Sequence, residues 1–259
     1  MTNPPLTILL VGGTGSIGRH VAERAIADGH RIRILTRRPT AAPTGADTVE
    51  GDLTDPASLA AAVEGIDAVV FTHGTHGGEA GVRDIDYGGV RNVLEAIGGR
   101  PVRVALMTAI GVTVREGSYN QSSKTHDWKR RAERLVRASG HPYTIVRPGW
   151  SDYNDPDQRH LHFLQGDNRR AGNSSDGVIA RSQIADVLVA SLTSPGADKK
   201  TLELVAEAGP SQSNLEPLFA ELDSDRELDG PSDIANQPLA DEPASVLADL
   251  DRIAGIARR

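Results

Sequence analysis

LTILLVGGTGSIGRHVAERAIADGHRIRILTRR, residues 6–38, decides the fold. Leu6 to Val11 is a continuous apolar run of strand length, the pattern of a parallel strand buried on both faces. Gly12, Gly15 and Gly18 follow at once, and from Ser16 the apolar residues Ile17, Val21, Ala25 and Ile26 recur at helical spacing until Gly29 ends the segment. Arg31 to Thr36 then alternates as a second strand, which closes one strand–helix–strand unit.

The same rhythm continues outward. It predicts a strand over 48–50, a helix over 56–64 with Asp55 as its cap and Pro56 at its first position, and a strand over 68–72. A helix over 82–97, a strand over 102–108, a helix over 123–139 and a strand over 143–147 follow. After Pro148 the alternation weakens, leaving a helix over 182–192 and a strand over 202–206. Strict alternation predicts an α/β fold, a doubly wound parallel sheet of the Rossmann kind with helices on both faces. A small C-terminal substrate region and an acidic tail complete the expected architecture.

Composition narrows the function. The 259 residues carry 28 Lys+Arg and 35 Asp+Glu, a formal charge of −7 with no basic excess for a nucleic-acid partner. Residues 210–251 hold eleven acids and one base, Arg226, together with five prolines, and read as a solvated, partly irregular arm with helical patches over 215–222 and 244–256. Cysteine is absent, so disulfides, thiolate metal sites and Cys nucleophiles are excluded. No apolar run reaches the roughly 18 to 20 residues a bilayer demands, and Met1 to Pro5 lacks the basic start of a leader. The expectation is a cytoplasmic protein with no membrane partner, a monomer or homodimer acting on a small molecule.

In a doubly wound sheet, ligands sit beyond the carboxyl ends of the strands where connections diverge, and the glycine-rich turn lies there. Its three glycines suit a tight strand exit, close backbone approach to a diphosphate, and close packing of helix on strand. Thr14, Ser16 and Ile17 complete the turn, and the helix start offers unpaired N–H groups and a positive dipole end. A dinucleotide is the expected cofactor. The second strand ends Thr36-Arg37-Arg38 with no acid for a ribose hydroxyl, and two guanidinium groups suit the 2′-phosphate of NADP(H). Asp52 and Leu53 follow the third strand, where Asp52 either meets the adenine amine or only begins a turn. Thr72, His73 and Gly74, after the fourth strand, are expected to approach the cofactor through their backbone. The His73/His76 and His160/His162 pairs lack a third ligand, so no metal site is expected.

These residues resemble the short-chain dehydrogenase/reductase superfamily in its atypical, NmrA-like branch of NAD(P)-binding proteins. Four stretches within residues 6–206 carry the resemblance: VGGTGSIGR at 11–19, GDLTDPASLAAAVEGIDAVV at 51–70, WKRRAERLVRASGHPYTIVRPGW at 128–150, and IARSQIADVLVASL at 179–192. It implies that Pro148 and Gly149 turn close to the nicotinamide, with Trp150 near the substrate. The family's Tyr-x-x-x-Lys pair places phenol and ammonium on one helix face, and Lys129 occupies the lysine position. Thr125 stands where the tyrosine belongs. Thr108 is the candidate for the supporting hydroxyl, and Tyr119 or Tyr153 for a replacement phenol, with Tyr153 taken forward. The chain divides into a dinucleotide-binding core over 1–150, a substrate-cleft region over 151–209 and the acidic arm over 210–259.

Three functions fit this reading. The preferred one is an NADPH-dependent oxidoreductase passing hydride to a small aromatic or conjugated carbonyl or quinone-like substrate, for which a strong protein acid is not essential. A non-enzymatic NADP(H) sensor of the NmrA-like type also accommodates the missing tyrosine. An epimerase or dehydratase of nucleotide sugars needs that tyrosine most and fits least.

Overall fold

The computed structural model describes residues 4–38 and 45–258. Met1 to Asn3, part of the stretch read for a leader, lie outside the described residues. The first half alternates as expected: β1 (Thr7–Val11), α1 (Gly18–Ala27), β2 (Arg31–Thr36), β3 (Asp47–Glu50), β4 (Ala68–Phe71), α2 (Gly78–Gly81), α3 (Gly88–Ile97) and β5 (Arg103–Met107). The second half comprises α4 (Ser118–Ser123), α5 (Thr125–Ala138), β6 (Tyr143–Pro148), β7 (Trp150–Ser151), β8 (His160–Leu164), β9 (Val178–Ile179), α6 (Arg181–Ser191), β10 (Lys200–Glu207), α7 (Glu216–Ala220) and α8 (Ala244–Ala257). No helix among the described residues is long and apolar enough to cross a membrane.

One sheet runs in the order β3-β2-β1-β4-β5-β6-β10-β9-β7, with β8 also paired to β10. The strands from β3 through β10 are mutually parallel, and β8 and β9 run antiparallel to β10. The order reverses direction between β1 and β4, which opens a crevice at their carboxyl ends. The apolar run of β1 supplies both faces of the sheet. Leu9 and Val11 join α3, α5 and α8 in one core, while Ile8 and Leu10 join α1 and α6 in the other. Each such side chain contributes about 1.5–3 kcal/mol by leaving water, so a one-residue slip of β1 would exchange two complete packing sets.

Three expectations are corrected. The segment 56–64 makes only a 3₁₀ turn over Pro56–Leu59, capped by Asp55 as expected. Beyond it the chain continues as turns, and the carbonyls there accept from the guanidinium groups of Arg33 (Ala62 and Glu64 O, 3.0 and 2.6 Å) and Arg100 (Val63 O, 2.5 Å). The helix expected over 123–139 is α5, which starts two residues later because Lys124, whose φ of 55° is left-handed, separates it from the short α4 that no expectation covered.

The third correction concerns the acidic arm, which is not a solvated segment. Val246, Leu250 and Ile253 of α8 pack into the core shared with α3 and α5, and Asp225 and Glu242 are buried. Their partners are arginines on α5: Arg137 Nε donates to Asp225 (2.8 Å), Arg130 and Arg134 to Asp229 (3.0 and 2.9 Å), and Arg131 and Arg134 to Glu242 (2.6 and 2.8 Å). Arg147 of β6 lies between Glu133 and Asp233, with bonds of 2.7 Å to each. The charge imbalance of the sequence is thus matched across an internal contact. Residues 151–209 add β7 to β10 and α6 to the same sheet.

Candidate functional site

The crevice between β1 and β4 is a cleft of about 590 Å³, within the range of small-ligand sites. It is lined by Gly12, Thr14, Gly15, Ser16 and Ile17 from the first turn, by Arg37 and Arg38 after β2, by Asp52 and Leu53 after β3, and by Thr72, His73 and Gly74 after β4. Four loops separated in sequence therefore converge as the glycine pattern and sheet order require.

The glycines are needed for close packing. Gly12 has a φ of +91°, and a Cβ there would meet His73 N at 2.6 Å, so this position joins the β1 and β4 exits. A Cβ on Gly18 would lie 2.1 Å from Gly12 O, and one on Gly15 would lie 3.1 Å from the same oxygen. Gly18 does not line the cleft. It lets α1 start directly beneath the turn, so the helix begins beside the exposed cleft residues Thr14, Gly15 and Ser16, and a helix N-terminus favours an anion. These features fit a diphosphate. Arg37 and Arg38 are exposed at the β2 end of the cleft, opposite Gly74 in strand order.

Asp52 begins a turn, the second of the readings offered for it. It lines the cleft while its Oδ1 accepts from Thr54 N (2.8 Å) and Thr54 Oγ1 (2.7 Å), bonds that hold its carboxyl below the usual range. His73 is turned inward. Its Nε2 pairs with Ile85 O at 3.0 Å, and because a carbonyl only accepts, Nε2 carries the hydrogen and Nδ1 is a bare acceptor. That Nδ1 is buried with no partner among the described residues. Burial holds the imidazole down to about 4, so it is neutral at physiological pH.

Lys129, from α5, reaches the β4 end. Its Nζ donates to Asp86 Oδ1 at 2.7 Å and would be 3.8 Å from a Cβ on Gly74. Asp86, the carboxylate that holds Lys129, was not singled out by sequence reasoning. It belongs to a π-helical turn, Val82–Tyr87, between α2 and α3, and such turns are frequent at functional sites. No periodicity in the stretch RDIDYGG signals the extra residue of that turn.

Other proposed residues lie outside the cleft lining. Thr108 is buried and donates its hydroxyl to Glu133 Oε1 at 2.7 Å, inside the charge network, so it is not a free hydroxyl at the cleft. Pro148 is buried, and a Cβ on Gly149 would strike Gly177 O at 2.5 Å, which assigns that glycine to sheet packing. Trp150 and Tyr153 are 38% and 66% exposed and pack edge to face with each other at 6.0 Å. Thr125 Oγ1 is 2.6 Å from Ser123 Oγ, and Tyr119 packs on His126 at 5.3 Å. Among the described residues no group of three or more His, Asp or Glu side chains could hold a metal.

Comparison with known proteins agrees with this geometry. A chloroplastic protein of Arabidopsis thaliana is 30% identical over 251 residues, covering 85% of this chain and 77% of its own length. A phenylcoumaran benzylic ether reductase of Pinus taeda is 31% identical over 153 residues, 54% of this chain and 47% of that protein. Among solved structures, an NAD-dependent epimerase/dehydratase of Bacillus halodurans superposes with a TM-score of 0.68 at 22% identity, covering 84% of this chain and all of that one. A short-chain dehydrogenase/reductase of Veillonella parvula in complex with NADP superposes at 0.59 with 16% identity, covering 81% and 99%. The structures establish the shared fold, and the sequence model for NAD(P)H binding matches residues 12–195, the span that begins at the first glycine of the turn and contains every loop of the cleft. The chain therefore belongs to the NAD(P)H-binding family of Rossmann-fold proteins.

Proposed function

We propose that the protein is an NADPH-dependent reductase of a small aromatic or conjugated carbonyl or quinone-like compound. One observation carries the reading: a single cleft joins a glycine-built turn to two exposed guanidinium groups, while the Lys129 ammonium, outside the lining, sits behind Gly74 at the other end. Arg37 and Arg38 match a 2′-phosphate, for which charge-assisted bonds are available. The amides of the turn at Gly12 to Ile17 hold the diphosphate. Bound there, the dinucleotide supplies hydride. Lys129 offers a donor beside Gly74.

The position four residues before Lys129 carries a hydroxyl already engaged with Ser123, and no phenol. A general acid is typically worth about 10² to 10⁴ in rate. Acceptors that stabilise their own reduced anion, as quinones and conjugated carbonyls do, tolerate its absence: hydride adds first and the one proton that completes the product comes from water. The resemblance to a benzylic ether reductase supports an aromatic substrate.

The test is NADPH oxidation with a panel of quinones, flavins, enones and simple ketones, run beside calorimetric titration of NADPH and NADH. Turnover is expected with the conjugated acceptors. Replacing both Arg37→Ala and Arg38→Ala should weaken NADPH by about 10- to 100-fold, on the scale of one or two exposed charge-assisted bonds, and leave NADH within about twofold. Equal binding of the two cofactors by both proteins, or no turnover across the panel, would sink the proposal.

A further inference from the structure

We propose that Asp86 is a positioning residue. It seats the Lys129 ammonium at the β4 end of the cleft, and through Lys129 it governs affinity for the nicotinamide half of the cofactor and not for the adenosine half. The inference rests on the reductase reading of the cleft. It concerns how this chain solves a local problem: a lysine has four rotatable bonds and no rigid fork, so its ammonium occupies one place only if something fixes it.

The structure shows what fixes it. Asp86 is 4% exposed, and both its carboxylate oxygens are engaged: Oδ1 accepts from Lys129 Nζ at 2.7 Å, and Oδ2 accepts from Thr75 N at 3.1 Å. Thr75 directly follows Gly74, which lines the cleft, so one carboxylate ties the lysine of α5 to the loop after β4. The π-helical turn makes this reach possible. Within it Asp84 stays half exposed against Arg83, Ile85 turns its carbonyl to His73, and Asp86 points inward. Three bonds from this one turn therefore hold both the loop lining the cleft and the ammonium beside it.

The pairing also sets what Lys129 can contribute. With its charge matched by a buried carboxylate, it acts as a located hydrogen-bond donor more than as a free positive charge. A buried ion pair is weak evidence for stability by itself, whereas the use of such pairs to fix one arrangement is better attested. The adenosine end, at Arg37 and Arg38, lies two strands away across β1.

The experiment compares NADPH with adenosine 2′,5′-bisphosphate, which carries only the adenosine half, by calorimetry on Asp86→Asn, Lys129→Met and the double variant. The asparagine keeps the shape and an acceptor for Thr75 N, and the double variant replaces the pair by neutral groups. Lys129→Met is expected to weaken NADPH by about 10- to 100-fold and Asp86→Asn by about 5- to 20-fold, as for loss of one charged hydrogen bond and its partial misplacement. Both should leave the bisphosphate within about twofold, and the double variant should bind NADPH as Lys129→Met does. Equal weakening of both ligands by Asp86→Asn would show a merely structural role, and additive losses in the double variant would show that Asp86 does not act through Lys129. Either result overturns the inference while leaving the reductase reading intact. Should Asp86→Asn fail to fold, comparison of Lys129→Met with the double variant decides the matter. Failure of the unaltered protein to bind NADPH would overturn both proposals.

Discussion

Gly18→Ala is the perturbation that most directly challenges the cofactor seat. The added methyl would lie 2.1 Å from Gly12 O and 2.7 Å from Gly13 Cα, against a normal contact of about 3.2 Å or more. Both obstacles are backbone, so no rotamer relieves them. The start of α1 must move by about 1 Å relative to the turn, and a hydrogen bond of about 2.9 Å from its amides to a phosphate oxygen would stretch to about 3.9 Å, beyond useful length. Losing one or two charge-assisted bonds at about 1.5–3 kcal/mol each gives a deficit of about 1.5–6 kcal/mol, or about 10- to 10⁴-fold in NADPH Kd. Calorimetry reads the affinity, and far-UV circular dichroism confirms that the fold survives. Gly117→Ala serves as the control, because its Cβ would meet only the Val114 side chain at an ordinary 3.5 Å and should leave binding unchanged. A folded Gly18→Ala protein that binds NADPH within twofold of the parent would refute the assignment of this turn as the diphosphate seat.

Three further outcomes are expected. Thr108→Val removes the donor to Glu133 and should lower stability by about 1–2 kcal/mol in urea, while kcat/KM stays within about twofold; a large kcat loss would return Thr108 to the chemistry. Glu242→Gln strips charge from a carboxylate that accepts from Arg131, Arg134 and Gln237, leaving two buried guanidinium groups undercompensated, and should cost about 3–5 kcal/mol, visible as a clear fall in Tm. Burial pushes the Glu203 carboxyl up to about 7, despite the opposing Arg147. Its contribution is therefore fully present below its unfolded pKa near 4.5 and is lost as pH rises through about 7, so Glu203→Gln should be the more stable protein at pH 8, by an amount on the order of 1–3 kcal/mol, and not at pH 5. Urea titrations at both values measure the difference.

The opposite window belongs to Asp233. Burial would raise its carboxyl, but bonds and charge from Arg147 overcome that and hold it at about 2. Its stabilisation is complete above the unfolded carboxylate range and is lost as pH falls toward 2. Glu133, buried against Arg147 and Arg137, is likewise held low and adds to the same acid limb. Maximum stability is expected between this acid limb and the loss toward neutral pH set by Glu203.

What could be read from the chain follows from which signals are local. Leu6 to Val11, the three glycines and the succession of strands to β6 are local patterns, and the structure reproduces the strands to within a residue or two. Arg37, Arg38 and Thr72 to Gly74 were legible because a parallel sheet sends every strand's carboxyl end to one rim, so strand ends alone name the loops that meet. The stop of the turn at Leu59 was not legible, because the segment after it is held by Arg33 and Arg100, which reach its carbonyls from a distant strand and loop. Asp86 was hidden for a different reason: a π-helical turn changes which residue faces inward without changing composition. The acidic segment misled because a run of charge has the same composition whether water or five arginines compensate it.

That last point bears on the site itself. α5 presents Lys129 toward Asp86 on one side and Arg130, Arg131, Arg134 and Arg137 toward the C-terminal segment on others. A helix packed only through apolar contacts can slide or rotate by fractions of an ångström at small cost, but one pinned by carboxylates at positions 225, 229 and 242 loses several buried ion pairs if it moves. Misplacement of a reacting group by about 1 Å can lower a rate by about 10²-fold. The segment that composition marks as a tail therefore acts as a clamp on the helix that carries the cleft's ammonium. Substitutions there should reduce turnover in proportion to how far they loosen α5, even though none of those residues lines the cleft.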